Sequence, residues 1–177
     1  MALAEVTGII SAIITIIDAS IKIYHAAEDA TDIPQSFRDA ASRLPLVQDT
    51  LRLAADGLAA DILDTQSRAS LGAVLEKCTE RVAVLLDIFQ LVITPAAASR
   101  PERYLRALKT IPQAKRVETL MEAIMADLQL LATNHAVKAA TRKQMERLIK
   151  GLLGVVLYVR VAHLRSSLLA PQGDDAA

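Results

Sequence analysis

Aromatic residues, glycine, proline and cysteine are all scarce in this chain of 177 residues. Aromatic residues make up 3% of the sequence, tryptophan is missing, and there are six glycines and six prolines. So few turn-forming residues argue against a fold with many β-strands. The single cysteine, Cys78, excludes an internal disulfide framework and fits a reducing compartment.

What the chain has instead is aliphatic: hydrophobic residues make up 53% of it, almost all of them Ala, Leu, Ile and Val. This content is too high for a disordered chain, and the length is sufficient to bury a core. The length also favours a single domain. We therefore expect one all-α domain over residues 1–169, followed by a disordered tail over residues 170–177.

Apolar residues recur at spacings of three and four along most of the chain, which is typical of amphipathic helices. The pattern predicts a helical bundle of about five long helices. Their expected spans are residues 2–28, 33–57, 65–93, 113–134 and 137–164, with Asp32 capping the second helix and a short helix opening at Pro101. Because proline lacks a backbone N–H, we expect Pro45 to kink or split the second helix and Pro112 to interrupt the short helix that opens at Pro101.

The first helix is apolar over more than half of its circumference, so we expect it to be largely buried at the centre of the bundle. Its uncharged core run, residues 6–17, would be roughly 18 Å long, against about 30 Å of bilayer hydrocarbon. A longer span would include Asp18 and Lys22, which form one i, i+4 pair. A helix buried in a soluble bundle and a helix that enters a membrane on activation both remain open. Glu5 and the absence of a basic leader disfavour a signal peptide.

Small residues recur on this helix at i, i+4 and i+8, as Ala4, Gly8 and Ala12. Such rows let two helices approach closely, which matters most in lipid. We therefore predict a segment for membrane insertion and oligomerisation, made of the small row and the isoleucines around it: Ala4, Gly8, Ile9, Ile10, Ala12, Ile13, Ile14, Ile16 and Ile17.

Charge is unevenly distributed along a chain whose net charge is zero. Residues 1–93 carry seven Lys/Arg and thirteen Asp/Glu, and residues 94–177 carry thirteen and seven. The basic residues are interpreted either as a solvated face or as a contact for anionic lipid. The predicted lipid-contact residues are Arg103, Arg106, Lys109, Lys115 and Arg116, and a second basic cluster contains Lys138, Arg142, Lys143, Arg147 and Lys150. Nucleic acid is not an expected partner, because aromatic stacking residues are almost missing.

Catalytic motifs are missing from the sequence. There is no GxxxxGK[ST] phosphate-binding loop, and His25, His135 and His163 lie far apart without metal-ligand spacing. Cys78 lies on the apolar face of its helix and is interpreted as a small core residue. We expect no enzymatic activity, no metal and no cofactor.

Several short segments resemble one known family, the SesA-type domain. The similar segments are Glu5–Ile10, Asp18–Tyr24, Ile33–Arg38, Leu44–Val47, Arg103–Tyr104, Val117–Met121 and Asp127–Leu128. Together they cover roughly residues 2–135. Domains of this type lie at the N-terminus of fungal NACHT and other P-loop NTPase immune receptors.

The resemblance implies a helical effector domain related to the HeLo and HeLo-like group, which is linked to regulated cell death by membrane permeabilisation. HeLo-like members often carry a glycine-rich zipper in the first helix; here only Gly8 is glycine, flanked by Ala4 and Ala12. The implied function is an effector in a fungal immune or heterokaryon-incompatibility system, acting through oligomerisation and membrane targeting. The alternative is a non-lytic adaptor module.

The implied partners are further copies of the chain, an anionic membrane, and a NACHT/P-loop NTPase module in cis or in trans. The implied location is the cytoplasm at rest and the plasma membrane on activation.

Overall fold

The structure is a computed structural model that describes residues 3–27, 33–58, 65–93, 100–134, 137–138 and 141–151, without the side chains of residues 3, 65, 68 and 100–111. It contains four long helices, α1 (Leu3–His25), α2 (Gln35–Gly57), α3 (Thr65–Val92) and α4 (Arg100–Thr133). A shorter helix, α5, covers residues 141–151. The expected all-α helical bundle with an apolar N-terminal helix is confirmed.

The four long helices form a ring around one hydrophobic core. In the main contacts, α1 packs against α2 and α3, and α4 packs against the same two helices. The interior is filled mainly by aliphatic side chains, together with Phe37 of α2 and Phe89 of α3, whose ring centroids lie 5.4 Å apart. α1 is therefore one side of the ring and not its centre.

Burial of α1 follows the predicted stripe but is narrower than the apolar surface of the helix. Val6, Ile10, Ile13 and Ile17 are at most 1% exposed, as the 3–4 spacing predicts. Only 28% of the residues in the most apolar window of this helix are buried. The expectation of a largely buried first helix therefore holds for one face, which packs against α2 and α3 in the part of the chain that the structure describes.

The two helix-internal prolines do not break their helices. α2 is continuous through Pro45 and α4 is continuous through Pro112, so the predicted interruption at Pro112 is wrong. Both prolines are exposed. On that side, water can solvate the carbonyl group that the missing proline N–H leaves without its helical partner.

The ends of α2 also differ in part from the expectation. Pro34, and not Asp32, occupies the position before the first residue of α2; Asp32 itself lies outside the described residues. The C-terminal end at Gly57 is as predicted.

Residues 137–138, which precede α5, form backbone contacts with the end of α2. The Lys138 N–H donates to the carbonyl of Gly57 at 2.9 Å, and Leu58 and Val137 form an isolated antiparallel bridge. Val137 therefore lies in this bridge and not in the last helix, which is described from residue 141 onward. The remainder of its predicted span, residues 152–164, and the predicted tail, residues 170–177, lie outside the described residues.

Candidate functional site

The predicted insertion segment on α1 divides into two faces. Ile10, Ile13 and Ile17 lie in the core, while Ile9, Ile14 and Ile16 are half-buried along its edges. The small row of Ala4, Gly8 and Ala12 is exposed. The bundle therefore holds the large residues of the segment and leaves the small residues on the outside.

Gly8 shows that the small row is not used for packing within the monomer. A Cβ atom built on Gly8 would meet no heavy atom within 4 Å. Ser11 and Thr15 are exposed on the same side. A second helix could therefore approach the α1 backbone closely along this row.

Hydroxyl groups on α1 are satisfied within the helix itself. Thr7 donates to the carbonyl of Ala4 at 3.1 Å, Thr15 to that of Ser11 at 2.9 Å, and Ser20 to that of Ile16 at 3.1 Å. Such internal bonds reduce the cost of moving a hydroxyl group away from water. These three hydroxyl groups are thus compatible with an apolar environment.

One polar side chain of α2 reaches across to α1. The amide nitrogen of Gln48 donates to the Asp18 carboxylate at 2.7 Å and to the carbonyl oxygen of Ile14 at 3.2 Å. Gln48 is 5% exposed, and Asp18 is half-buried. The sequence analysis considered Asp18 only with Lys22 and missed Gln48. The available signal was a single amide between Leu44, Val47 and Leu51 on an otherwise apolar stripe.

A second polar contact joins α3 to α4. Arg81 forms an ion pair with Asp127, which is 4% exposed, and also donates to the carbonyl of Ala123 at 3.0 Å. Cys78 lies one turn before Arg81 and is 1% exposed. Burial and, to a smaller extent, the charge of Asp127 raise the pKa of its thiol to about 12, while the charge of Arg81 opposes this rise. The thiol is therefore protonated at neutral pH, as expected for a core residue.

The predicted lipid contacts are described in part. Arg103, Arg106 and Lys109 belong to α4, where the structure describes their backbone but not their side chains. Lys115 and Arg116 are exposed on α4.

Three residues of the second basic cluster share one face of α5. Lys143, Arg147 and Lys150 are all exposed and follow one another at i, i+4 and i+7, with exposed Glu146 on the same face. Among the side chains that the structure describes, these three therefore form an exposed basic line that the predicted lipid contacts did not include.

Comparison with known protein families shows to which family the chain belongs. The family SesA, described as an N-terminal domain on NACHT NTPases and P-loop NTPases, matches residues 10–131. The match covers more than half of the chain. This protein belongs to the SesA family. The resemblance predicted from the short apolar segments is confirmed over that range.

The matched region of the SesA domain runs from Ile10 of α1 to near the end of α4. It contains the polar contacts of Gln48 with Asp18 and of Arg81 with Asp127. It does not include Ala4, Gly8 or α5. Curated proteins and solved structures gave no match to the chain.

In the part of the chain that the structure describes, no three His, Cys, Asp or Glu side chains are grouped so that they could hold a metal ion. α1 is the one described helix long and apolar enough to cross a membrane: Ala4–His25 has 22 residues, and its most apolar window of 18 residues has a mean hydropathy of 1.8. Core helices of water-soluble proteins and signal sequences share these properties.

Proposed function

We propose that this SesA domain is the effector part of a fungal immune or heterokaryon-incompatibility system built on a NACHT/P-loop NTPase. On activation, α1 leaves the bundle, enters an anionic membrane and associates with copies of itself, which leads to cell death. The observation that carries this proposal is the combination of length, hydropathy and low burial in α1.

The length of the whole helix supports insertion better than its central run does. The 22 residues of Ala4–His25 span about 33 Å at 1.5 Å per residue, which matches about 30 Å of hydrocarbon. A helix that merely formed the core of a soluble protein would be mostly buried, whereas 28% of the most apolar 18-residue window of α1 is buried. Asp18 remains an unfavourable group inside lipid, which fits a helix that needs activation to enter.

Membrane attachment before insertion is assigned to the basic residues. Lys143, Arg147 and Lys150 form an exposed line on α5, and Lys115 and Arg116 add two exposed charges on α4. Each basic residue near an anionic surface contributes about 1 kcal/mol of binding free energy. Binding through such residues is weakened by salt.

Association of inserted helices is assigned to the small row. Gly8 lies in open space between Ala4 and Ala12, so the row is accessible to a second α1 helix without rearrangement of its own side chains. A bulky residue at position 8 would keep two helices apart without disturbing the resting bundle.

Leakage of dye from anionic liposomes tests the proposal. We expect wild-type protein to bind the liposomes at low salt and to release the dye. Gly8→Leu should abolish leakage and leave sedimentation with liposomes nearly unchanged, whereas the matched variant Gly8→Ala should leak like the wild type. Charge reversal of Lys143, Arg147 and Lys150 should weaken sedimentation instead. If wild-type protein neither binds nor leaks these liposomes at any concentration, the membrane proposal fails.

The adaptor function is the second candidate, and the family description favours it. A domain that lies N-terminal to NACHT and P-loop NTPases is placed to couple those modules to partners without any membrane step. Binding of the NTPase module by protein that leaves liposomes intact would support the adaptor function.

A further inference from the structure

Five polar residues are buried in the described part of the bundle: Ser20, Ser36, Gln48, Thr50 and Asp127. The hydroxyls of Ser20 and Thr50 donate to carbonyls of their own helices. Asp127 joins α3 to α4 through Arg81. Gln48 differs from all of these, because it is the buried polar side chain that ties α1 to a neighbouring helix.

We infer that Gln48 is a latch that holds α1 in the resting bundle, and that α1 is released only when this contact opens. The inference rests on the proposed function and adds its control element. The acceptors are two groups of α1 itself, the Asp18 carboxylate and the Ile14 carbonyl. Departure of α1 must therefore break both bonds at once.

The chemistry of the contact makes it stronger than an ordinary side-chain bond. The amide donates to a carboxylate at 2.7 Å, and Gln48 is only 5% exposed. Hydrogen bonds to charged groups stabilise more than neutral ones do, and the effect grows as water is excluded. We therefore expect loss of the bond to raise the opening of α1 by about 10- to 100-fold.

The contact also fixes the axial position of α1. Ile14 and Asp18 are one turn apart, so a single amide group bridges two successive turns of the helix. A shift of α1 by one turn would bring the side chain of Ile14 or Lys22 to the position of Asp18. Neither residue can accept a hydrogen bond from an amide, so the latch selects one register.

The chain provides a matched control for this contact. Gln35 also donates its amide to an aspartate at 2.7 Å, but its acceptor, Asp39, lies on the same helix and the pair is exposed. Gln35→Glu and Gln48→Glu are therefore the same chemical change, each placing a carboxylate opposite a carboxylate. Only the second change affects the contact between α1 and α2.

Amide hydrogen exchange of the full chain, read by mass spectrometry at pH 7, tests the latch. In Gln48→Glu we expect exchange of α1 amides around residues 10–17 to rise at least about tenfold over the wild type. Exchange in α3 around residues 75–89 should stay unchanged, and Gln35→Glu should match the wild type in both helices. Equal α1 exchange in Gln48→Glu and Gln35→Glu would overturn the inference.

A milder variant decides the matter if Gln48→Glu loosens the whole bundle, which would appear as faster exchange in α3 as well. Asp18→Asn keeps an acceptor oxygen but removes its charge, and should raise α1 exchange by a smaller factor with α3 protected. Unchanged α1 exchange in this variant would then overturn the latch. Liposome leakage by the same proteins separates the two ideas: faster α1 exchange without any leakage supports the latch and contradicts the proposed membrane function.

Discussion

Arg81, Asp127 and Cys78 form a compact polar group within an otherwise aliphatic core. A buried carboxylate without a counter-charge is strongly destabilising. The Arg81 guanidinium supplies that counter-charge, which allows the Asp127 carboxylate to be buried. The guanidinium also reaches the carbonyl of Ala123, which fixes α4 against α3. Cys78 is buried nearby as a neutral thiol, within the electrostatic influence of both charges.

Ionisation of Cys78 should make the free energy of unfolding depend on pH in the alkaline range. The thiol ionises near its ordinary pKa of 9.0 in the unfolded chain, but only near 12 in the folded protein. Its stabilising contribution is therefore complete below pH 9 and is lost as the pH rises towards 12. Relative to Cys78→Val, wild-type protein should lose about 1.4 kcal/mol between pH 7 and pH 10. Urea titrations at the two pH values measure the difference, and a constant difference would contradict the assignment.

At the scale of the helices, the contact of α2 with α5 depends on Gly57 at the end of α2. A Cβ atom on Gly57 would lie 2.5 Å from Cγ2 and 2.7 Å from Oγ1 of Thr141. This is closer than van der Waals contact allows, and Thr141 is half-buried at the start of α5. The glycine is therefore required for α5 to dock on α2.

Replacement of Gly57 and replacement of Gly8 should shift stability in opposite directions. Gly57→Ala should lower the free energy of unfolding by about 1–3 kcal/mol, since the added methyl group overpacks the contact with Thr141. Gly8→Ala should raise it by up to about 1 kcal/mol, because the site is open and alanine favours the helix. Thermal unfolding of both variants is the measurement. Equal shifts in the two proteins would show that Thr141 does not press against Gly57.

Helices and core positions of this fold could be predicted from periodicity, because apolar residues at 3–4 spacing must share one face. Ile10, Ile13 and Ile17 are in the core for that reason. The exposure of Gly8 and Ala12 could not be predicted, since α1 is apolar around most of its circumference and the spacing does not say which part the neighbouring helices cover. Pro112 was misjudged because the exposure of its side of α4 is a tertiary property.

The contact of Gln48 with Asp18 is the part of the candidate site that could not be predicted from the sequence. Gln48 lies 30 positions from Asp18, and nothing local marks a glutamine as the partner of a distant carboxylate. The pairing of Arg81 with Asp127 was hidden in the same way. Polar contacts between helices depend on how the helices pack, whereas the apolar stripes depend on each helix alone.

At the scale of the whole molecule, the two proposed functions, membrane attachment and membrane insertion, belong to different helices. The ring of α1 to α4 protects the insertion face of α1, and α5 carries an exposed line of basic residues at the end of α2. In this arrangement, attachment to an anionic surface does not require the ring to open. Opening is a separate step that Gln48 resists.

Movement of α1 from the bundle into lipid is the central claim, and a fluorescent label on α1 tests it most directly. Cys78 is buried and its thiol is protonated, so a cysteine introduced on the surface can be labelled selectively. Ser11→Cys places the label on the exposed side of α1, and Ala73→Cys places it on the exposed side of α3 as the control. The label should be a fluorophore whose emission moves to shorter wavelength in an apolar environment.

With anionic liposomes at low salt, the account predicts a shift to shorter wavelength for the label at position 11 and an aqueous emission for the label at position 73. The shift at position 11 should be larger when Gln48→Glu is added. An aqueous emission at position 11 under conditions in which the protein sediments with the liposomes, or equal shifts at both positions, would contradict the account.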